Sequence, residues 1–328
     1  MGGVERTLRL HYKFTEQLKM KFQLDFNPEI SPEKIQLGDK ITLLGSCFSD
    51  EIALRLRSSG FEVLTNPFGT IFHPTAIANL LLNTDIENSI IQRDDLFFSW
   101  MASGTIYSTN PELLKNKLID LQNNLIEYVR SSKFLFITFG TAYAYENESF
   151  GSVVANCHKM PNTNFFKVLS SVHEMHQDWN LCLEKIYALN PAIQIIFTVS
   201  PVRHIKDGII QNNQSKARLI ELTNRLSEMT PASYFPSYEI LIDVLRDYRF
   251  YKDDLVHPNN QAVDYIYKQF EKVFMDEQTQ QVTEQVRRLK SNESHKILYP
   301  ESIKSTEFEI VKNQKIRNFL KNNPKVIW

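Results

Sequence analysis

Cysteine is scarce in this chain. Its three thiols, Cys47, Cys157 and Cys182, make neither a dense disulfide framework nor a Cys-x-x-Cys metal knuckle. A disulfide-stapled extracellular scaffold is thereby excluded, and a reduced, intracellular chain is the expectation. Excess charge of either sign is lacking too: Lys and Arg number 37 against 38 Asp and Glu, a formal net charge of -1. No global basic field is available to hold nucleic acid or an anionic membrane surface. Long apolar runs are missing. Nothing approaches the roughly 20 apolar residues of a membrane span, and residues 1–21 alternate charged side chains with single apolar ones instead of building the core of a secretion signal. The combined expectation is a cytoplasmic protein with no membrane and no nucleic-acid partner. Metal-ligand spacing is equally thin. His173-Glu-Met-His176 places its imidazoles three apart rather than in His-Glu-x-x-His, so no metal and no cofactor is expected. There is no internal repeat and no low-complexity tract.

What the chain does have is apolar residues, 42% of it, enough for a sizeable core in one large domain or two ordinary ones. They come in alternating patterns. Residues 41–44 read as a strand, 50–58 as a helix ended near Gly60, and 61–64 as a second strand. Further on, 74–82 has helical composition, 111–130 carries Leu and Ile at helical spacing, and 133–139 is a buried-strand run. A helix over 170–189, a central strand over 193–199 and a helix over 215–229 complete the series. Such alternation predicts an α/β fold, a central parallel sheet with helices on both faces. Two segments break the rhythm: 89–107 is aromatic and rich in Thr and Ser, and 143–154 reads as a hairpin turning near 147–151, both suited to form lids. The expected division is an N-terminal arm over 1–34, a globular domain over 35–275 and a polar helical tail over 276–328.

Chemistry concentrates at Ile41-Thr-Leu-Leu-Gly-Ser-Cys-Phe-Ser-Asp50, where an apolar strand breaks at Gly45 and presents small nucleophile-bearing side chains ahead of a helix. The first turn of that helix points free N–H groups at any negative charge that forms there. Far downstream, Asp254-Leu-Val-His257-Pro258 brings an acid and a base to one loop. The aspartate can fix the imidazole tautomer while the histidine takes a proton from a hydroxyl or thiol. Strand ends recur beside Gly140-Thr141 and Ser200, and open α/β sheets bind ligands beyond those carboxyl ends.

These segments resemble the GSCFA family, a branch of the SGNH/GDSL hydrolase superfamily, whose name is read almost letter for letter in Gly45-Ser46-Cys47-Phe48-Ser49. The likeness continues in family order through Asn66-Pro-Phe-Gly-Thr70, Phe139-Gly-Thr-Ala142, Val154-Ala-Asn-Cys-His158, Ser200-Pro-Val-Arg-His204 and Tyr248-Arg-Phe-Tyr251 to Asp254-Leu-Val-His257. It spans roughly residues 20 to 275, and its specificity lies in the ordered set rather than in one motif. Met20-Lys-Phe-Gln-Leu is similar to the family's usual opening, which leaves residues 1–19 as an extension.

The resemblance implies a three-layer flavodoxin-like SGNH hydrolase fold with a central parallel sheet, and hydrolysis of an ester bond without cofactor. Superposing the superfamily's Gly-Asp-Ser-x-Ser-Asp on Gly45–Asp50 puts Cys47 in the nucleophile slot, although a one-residue shift of the turn presents Ser46 instead. A thiol beside a histidine and a helix N-terminus is expected to be activated. The resemblance makes His257 the base, Asp254 its orienting acid and Gly69 the second-block oxyanion glycine. The third block's asparagine is absent, because Gly140-Thr141-Ala142 has alanine there; Asn156 is a replacement, or simply a turn residue. Arg203 is placed to meet a substrate carboxylate or phosphate, or to hold a surface loop. The implied partner is a small-molecule or carbohydrate ester. An acyltransferase on the same residues and a binding module that kept the pocket are the alternatives.

Overall fold

The computed structural model describes residues 23–82, 86–294 and 301–328, so the expected extension over 1–19 lies outside the described residues. Five strands form a parallel sheet: β1 (Lys40–Gly45), β2 (Glu62–Thr65), β5 (Phe134–Phe139), β9 (Gln194–Val199) and β10 (Ser233–Tyr234). Their spatial order is β10-β9-β5-β1-β2. That is the flavodoxin-like order, in which the chain first adds a strand to one side of β1 and then all later strands to the other. The switch falls between β1 and β5, where Gly45 pairs with Thr138.

The strands are apolar on both sides because both sides are covered. All six residues of β5 are buried. Leu135, Ile137 and Phe139 face one layer, made of α2 (Pro74–Leu82), α3 (Pro111–Ser131), α4 (Val172–Leu189) and α5 (Ile209–Met229). Phe134 and Phe136 face the other, made of α1 (Cys47–Ser58) and α6 (Asn260–Phe274). Each such side chain contributes roughly 1.5–3 kcal/mol on burial. Trp179 fastens α4 to the sheet edge-on, its ring centroid 5.2 Å from those of both Phe139 and Phe197.

Two antiparallel additions sit where lids were expected. One is a hairpin of β3 (Ile90–Arg93) and β4 (Leu96–Ser99); the other is a three-stranded sheet, β7-β6-β8. In the latter, β6 (Tyr143–Asn147) turns into β7 (Ser152–Val153) with Gly151 N–H donating to the Asn147 carbonyl at 2.9 Å. The third strand, β8 (Phe166–Leu169), has no counterpart in the sequence reading, since Phe166 and Lys167 are exposed and give no apolar run.

Past α6 the chain continues as α7 (Glu277–Ser294) and α8 (Ile303–Asn322). Thr283 and Val286 of α7 are fully buried, and Arg287 donates to the Ser59 hydroxyl at 2.7 Å and to Glu271 at 2.6 Å. Ile327 N–H donates to the Gly60 carbonyl at 2.9 Å, so residues from the far end of the sequence grip the end of α1.

Candidate active site

The turn after β1 is dictated by crowding. Gly45 has φ 129°, and a Cβ there would stand 2.1 Å from the Thr138 carbonyl oxygen, so only glycine lets β1 end this close to β5. The next residue closes the turn. Ser46 N–H donates to Thr138 O at 3.1 Å, and its hydroxyl caps α1 by accepting Phe48 N–H at 3.3 Å. The same hydroxyl donates to Ser200 Oγ at 2.9 Å, and the side chain is buried. Capping explains why α1 begins at Cys47 rather than at Asp50, as the composition suggested. Cys47, the first helical residue, is half-buried and lines a cleft of about 330 Å³ with Glu51, Val202, Lys252, Asp254 and His257.

Opposite Cys47, the Asp254–His257 loop is wound tightly. Asp254 Oδ1 accepts the N–H groups of Val256 and His257 at 2.8 and 2.9 Å, and Oδ2 lies 2.7 Å from His257 Nδ1. Those bonds, the His257 backbone N–H first, hold the Asp254 carboxyl down at about 2. Leu255 takes the left-handed conformation, φ 57°, to make the loop this short. Asn259 then caps α6 on Ala262 N–H and donates to the Arg249 carbonyl at 2.7 Å, while Lys252 N–H donates to the His257 carbonyl at 2.8 Å. The ring is thus fixed at its base.

A preformed thiolate, expected from the helix terminus and the histidine, is not what the surroundings favour. Burial pushes the Cys47 thiol up, and the carboxylates of Asp50 and Glu51 push the same way; its own backbone N–H and Lys252 oppose them. The resting group is a thiol that needs a base.

The remaining sequence candidates are distributed differently. Gly69, φ 76°, is required by packing, since a Cβ would meet Ser103 Oγ at 1.9 Å; its N–H donates to the Asn66 carbonyl at 2.7 Å and closes a turn. Gly140 donates its N–H to Phe72 O at 2.8 Å. Thr141 Oγ1 sits 2.9 Å from Ser215 Oγ. Asn156 Oδ1 accepts His158 N–H at 2.7 Å, a side-chain-closed turn. Thr141 and Asn156 line a second chamber, about 270 Å³, with His73, Tyr143, Cys157 and His204. The Arg203 guanidinium lies 4.4 Å from the Tyr251 ring centroid and 5.3 Å from that of Tyr248, and the Arg203 backbone N–H donates to Val256 O, contacts that tie it to the histidine loop.

Three participants escaped the sequence reading. Asn66, at φ 41°, accepts Gly45 N–H at 2.8 Å and donates to Asp50 Oδ1 at 3.0 Å; with Thr70 on Oδ2 at 3.3 Å it clamps the turn after β1 to the next loop. His204 stands half-buried in the chamber wall; its Nε2 is buried with no hydrogen-bond partner among the described residues, and burial holds the ring near 4. Lys216 is buried between strand ends. Its signal was present: Asn212, Ser215, Lys216, Leu219, Leu222 and Leu226 follow helical spacing, so a lysine stands on the buried stripe of α5. Among the described residues no group of three or more His, Cys, Asp or Glu side chains is arranged to hold a metal.

A parallel α/β sheet carrying a cysteine–histidine–aspartate cleft at the switch point of its strand order defines the class of this protein. The chain belongs to the GSCFA family, whose profile matches residues 40–270. Among solved structures it is similar to a carbohydrate esterase family 3 protein from Talaromyces cellulolyticus (9% identity, TM-score 0.37, covering 76% of this chain and 99% of that one). It is also similar to a family two carbohydrate esterase from Clostridium thermocellum in complex with cellohexaose (9%, TM-score 0.37, 80% and 67%). A third similar structure is the periplasmic domain of a lipopolysaccharide acetyltransferase from Salmonella ser. Paratyphi A (11%, TM-score 0.37, 80% and 94%). No curated protein matches the chain.

Proposed function

We propose that this protein is an acyl hydrolase of the SGNH/GDSL superfamily that cleaves an ester through a thioacyl-enzyme on Cys47, with His257 as base and Asp254 as its orienting acid. The observation that carries the reading is that Cys47 shares a cleft wall with an imidazole whose Nδ1 is held by Asp254, while Ser46 is turned inward to Ser200. An ionised carboxylate only accepts, so Nδ1 bears the proton and Nε2 is the basic nitrogen.

Nε2 takes the thiol proton as Sγ bonds to the ester carbonyl carbon, whose π pair moves onto oxygen. When that pair returns, the C–O bond breaks and the alkoxide leaves with the proton from the imidazolium. Water, giving a proton to Nε2, then attacks the thioester; the acid departs and Sγ recovers its proton. Because the resting thiol is not ionised, the nucleophile is generated only when Nε2 takes its proton. The Cys47 N–H is assigned to the oxyanion, since the N–H groups of Phe48, Ser49 and Gly69 are engaged in their own turns. The substrate is read as a small-molecule or carbohydrate ester in a cytoplasmic setting, with the chamber of Thr141, Asn156 and His204 receiving the part of it that does not react.

A thiol-reactive acyl probe tests this by mass spectrometry of the labelled peptide. The label is expected on Cys47, retained in Ser46→Ala, slowed in His257→Ala and lost in Cys47→Ala. A label that stays in Cys47→Ala and disappears in Ser46→Ala rejects the assignment.

A further inference from the structure

Lys216 is 1% exposed, and the mechanism above gives it no role. Its Nζ donates to the carbonyls of Gly140 and Ser200, both at 2.7 Å, and lies 5.6 Å from the centroid of the Tyr238 ring. Gly140 and Ser200 are the residues just beyond β5 and β9, and the Ser200 hydroxyl receives the hydrogen bond of Ser46, the residue before Cys47. Lys216 therefore stands under the floor of the nucleophile turn. Among the described residues no carboxylate pairs with it; both acceptors are neutral carbonyls. An ammonium is costly to bury without an anion. Burial accordingly pulls this one down to about 7, and the charge that acts against burial is a thiolate at Cys47.

We propose that Lys216 is a positioning residue of the reaction: its ammonium, fixed between the ends of β5 and β9, is the buried counter-charge for the anion generated at Cys47. The proposal rests on Cys47 being the nucleophile. When the thiol proton passes to His257, the sulfur becomes negative beside Asp50 and Glu51 of α1, which disfavour it. Lys252, Asp254 and His257 face the sulfur from the loop across the cleft. Lys252 is half exposed and shared with Glu51, and Asp254 is a second negative charge. Around Lys216, Tyr238 is neutral at physiological pH, with burial raising its pKa, and His204 is held near 4 by burial first and by Lys216 next. The fixed interior cation is thus Lys216, which acts through low-dielectric protein rather than through water.

Alkylation of Cys47 by iodoacetamide, followed by peptide mass between pH 5 and 10, tests this in the full chain. Lys216→Met is expected to slow alkylation roughly tenfold at pH 7 and below, where the lysine carries its proton, and to leave the rate at pH 10, where it is a neutral amine, close to wild type. Lys216→Arg should stay close to wild type. An unmoved profile in a Lys216→Met protein that melts earlier overturns the proposal and leaves Lys216 a structural tie.

A second measurement leaves Lys216 in place, in case its removal prevents folding. The Lys216 ε-methylene NMR titration is compared in Cys47→Asp and Cys47→Ser. A permanent anion at this half-buried position should raise the lysine midpoint by about a unit or more relative to serine; identical midpoints overturn the proposal. Failure of the nucleophile reading is seen separately, as loss of acyl labelling in Ser46→Ala instead of Cys47→Ala.

Discussion

Replacing Asn66 should cost more than an exposed loop residue normally does, because its side chain makes two bonds at the turn after β1 and its backbone is left-handed. In Asn66→Ala the Gly45 N–H loses its acceptor at 2.8 Å, and an unsatisfied, partly buried donor costs about 1–3 kcal/mol. The bond to Asp50 at 3.0 Å goes as well, and a hydrogen bond to a charged group is worth about 1.5–3 kcal/mol. Alanine must also hold φ 41°, which adds about 1 kcal/mol. The sum is roughly 4–7 kcal/mol before relaxation, equivalent to a melting temperature lower by about 6–10 °C for a chain of this size. Asn66→Gly keeps the left-handed conformation but not the bonds, so it should melt above Asn66→Ala by about 1–2 °C. Scanning calorimetry reads both, and the alkylation rate of Cys47 reports whether the turn has moved. Equal melting temperatures for Asn66→Ala and wild type would refute the clamp. Equal values for the alanine and glycine variants would refute the conformational part.

Asp254→Asn should lower turnover by roughly 10²–10⁴-fold, because an amide N–H facing Nδ1 selects the tautomer whose Nε2 cannot accept a proton; steady-state rates with an activated ester check it. Since Glu51 pushes the Cys47 thiol up, Glu51→Gln should speed alkylation at pH 7.5 by roughly two- to threefold and leave the alkaline plateau unchanged. His73 is buried and held near 4 against an ordinary 6.5, so the stability it gives is complete above about pH 6.5 and is lost as pH falls from there through 4. Melting temperature followed over that window should fall less steeply in His73→Gln than in wild type. Val326→Asp places a carboxylate where Val326 packs against Gly60, and should lower the melting temperature by several degrees without altering the pH at which Cys47 alkylates.

The parts of the fold that could be read in the sequence are those whose burial leaves a continuous apolar run. β1, β5 and β9 are covered on both faces and announce themselves; β10 is two residues, Ser233 and Tyr234, and is a strand only because β9 offers it an edge. β8 is held by pairing with β6 rather than by composition. At the site, the three-residue spacing of Asp254 and His257 carries its own geometry, since an aspartate at that distance reaches both the loop amides and the ring. Gly69 is needed, but the need arises from Ser103 across a loop, which no local pattern contains. Lys216 was hidden for the opposite reason. A lysine in a helix reads as a solvent-facing break, and only the ends of two distant strands supply the carbonyls that make its burial tolerable.

The strand order has a consequence for synthesis. β2 pairs with one side of β1, and β5, β9 and β10 extend the other side in the order in which a ribosome delivers them. Cys47 emerges with the first strand, whereas Asp254 and His257 arrive only after the last. On the proposed assignment, until then Cys47 has no base to take its proton. Partly made or truncated chains, the species most exposed to misfolding, would on that assignment be unable to turn over an ester, and activity would appear only when the sheet is finished.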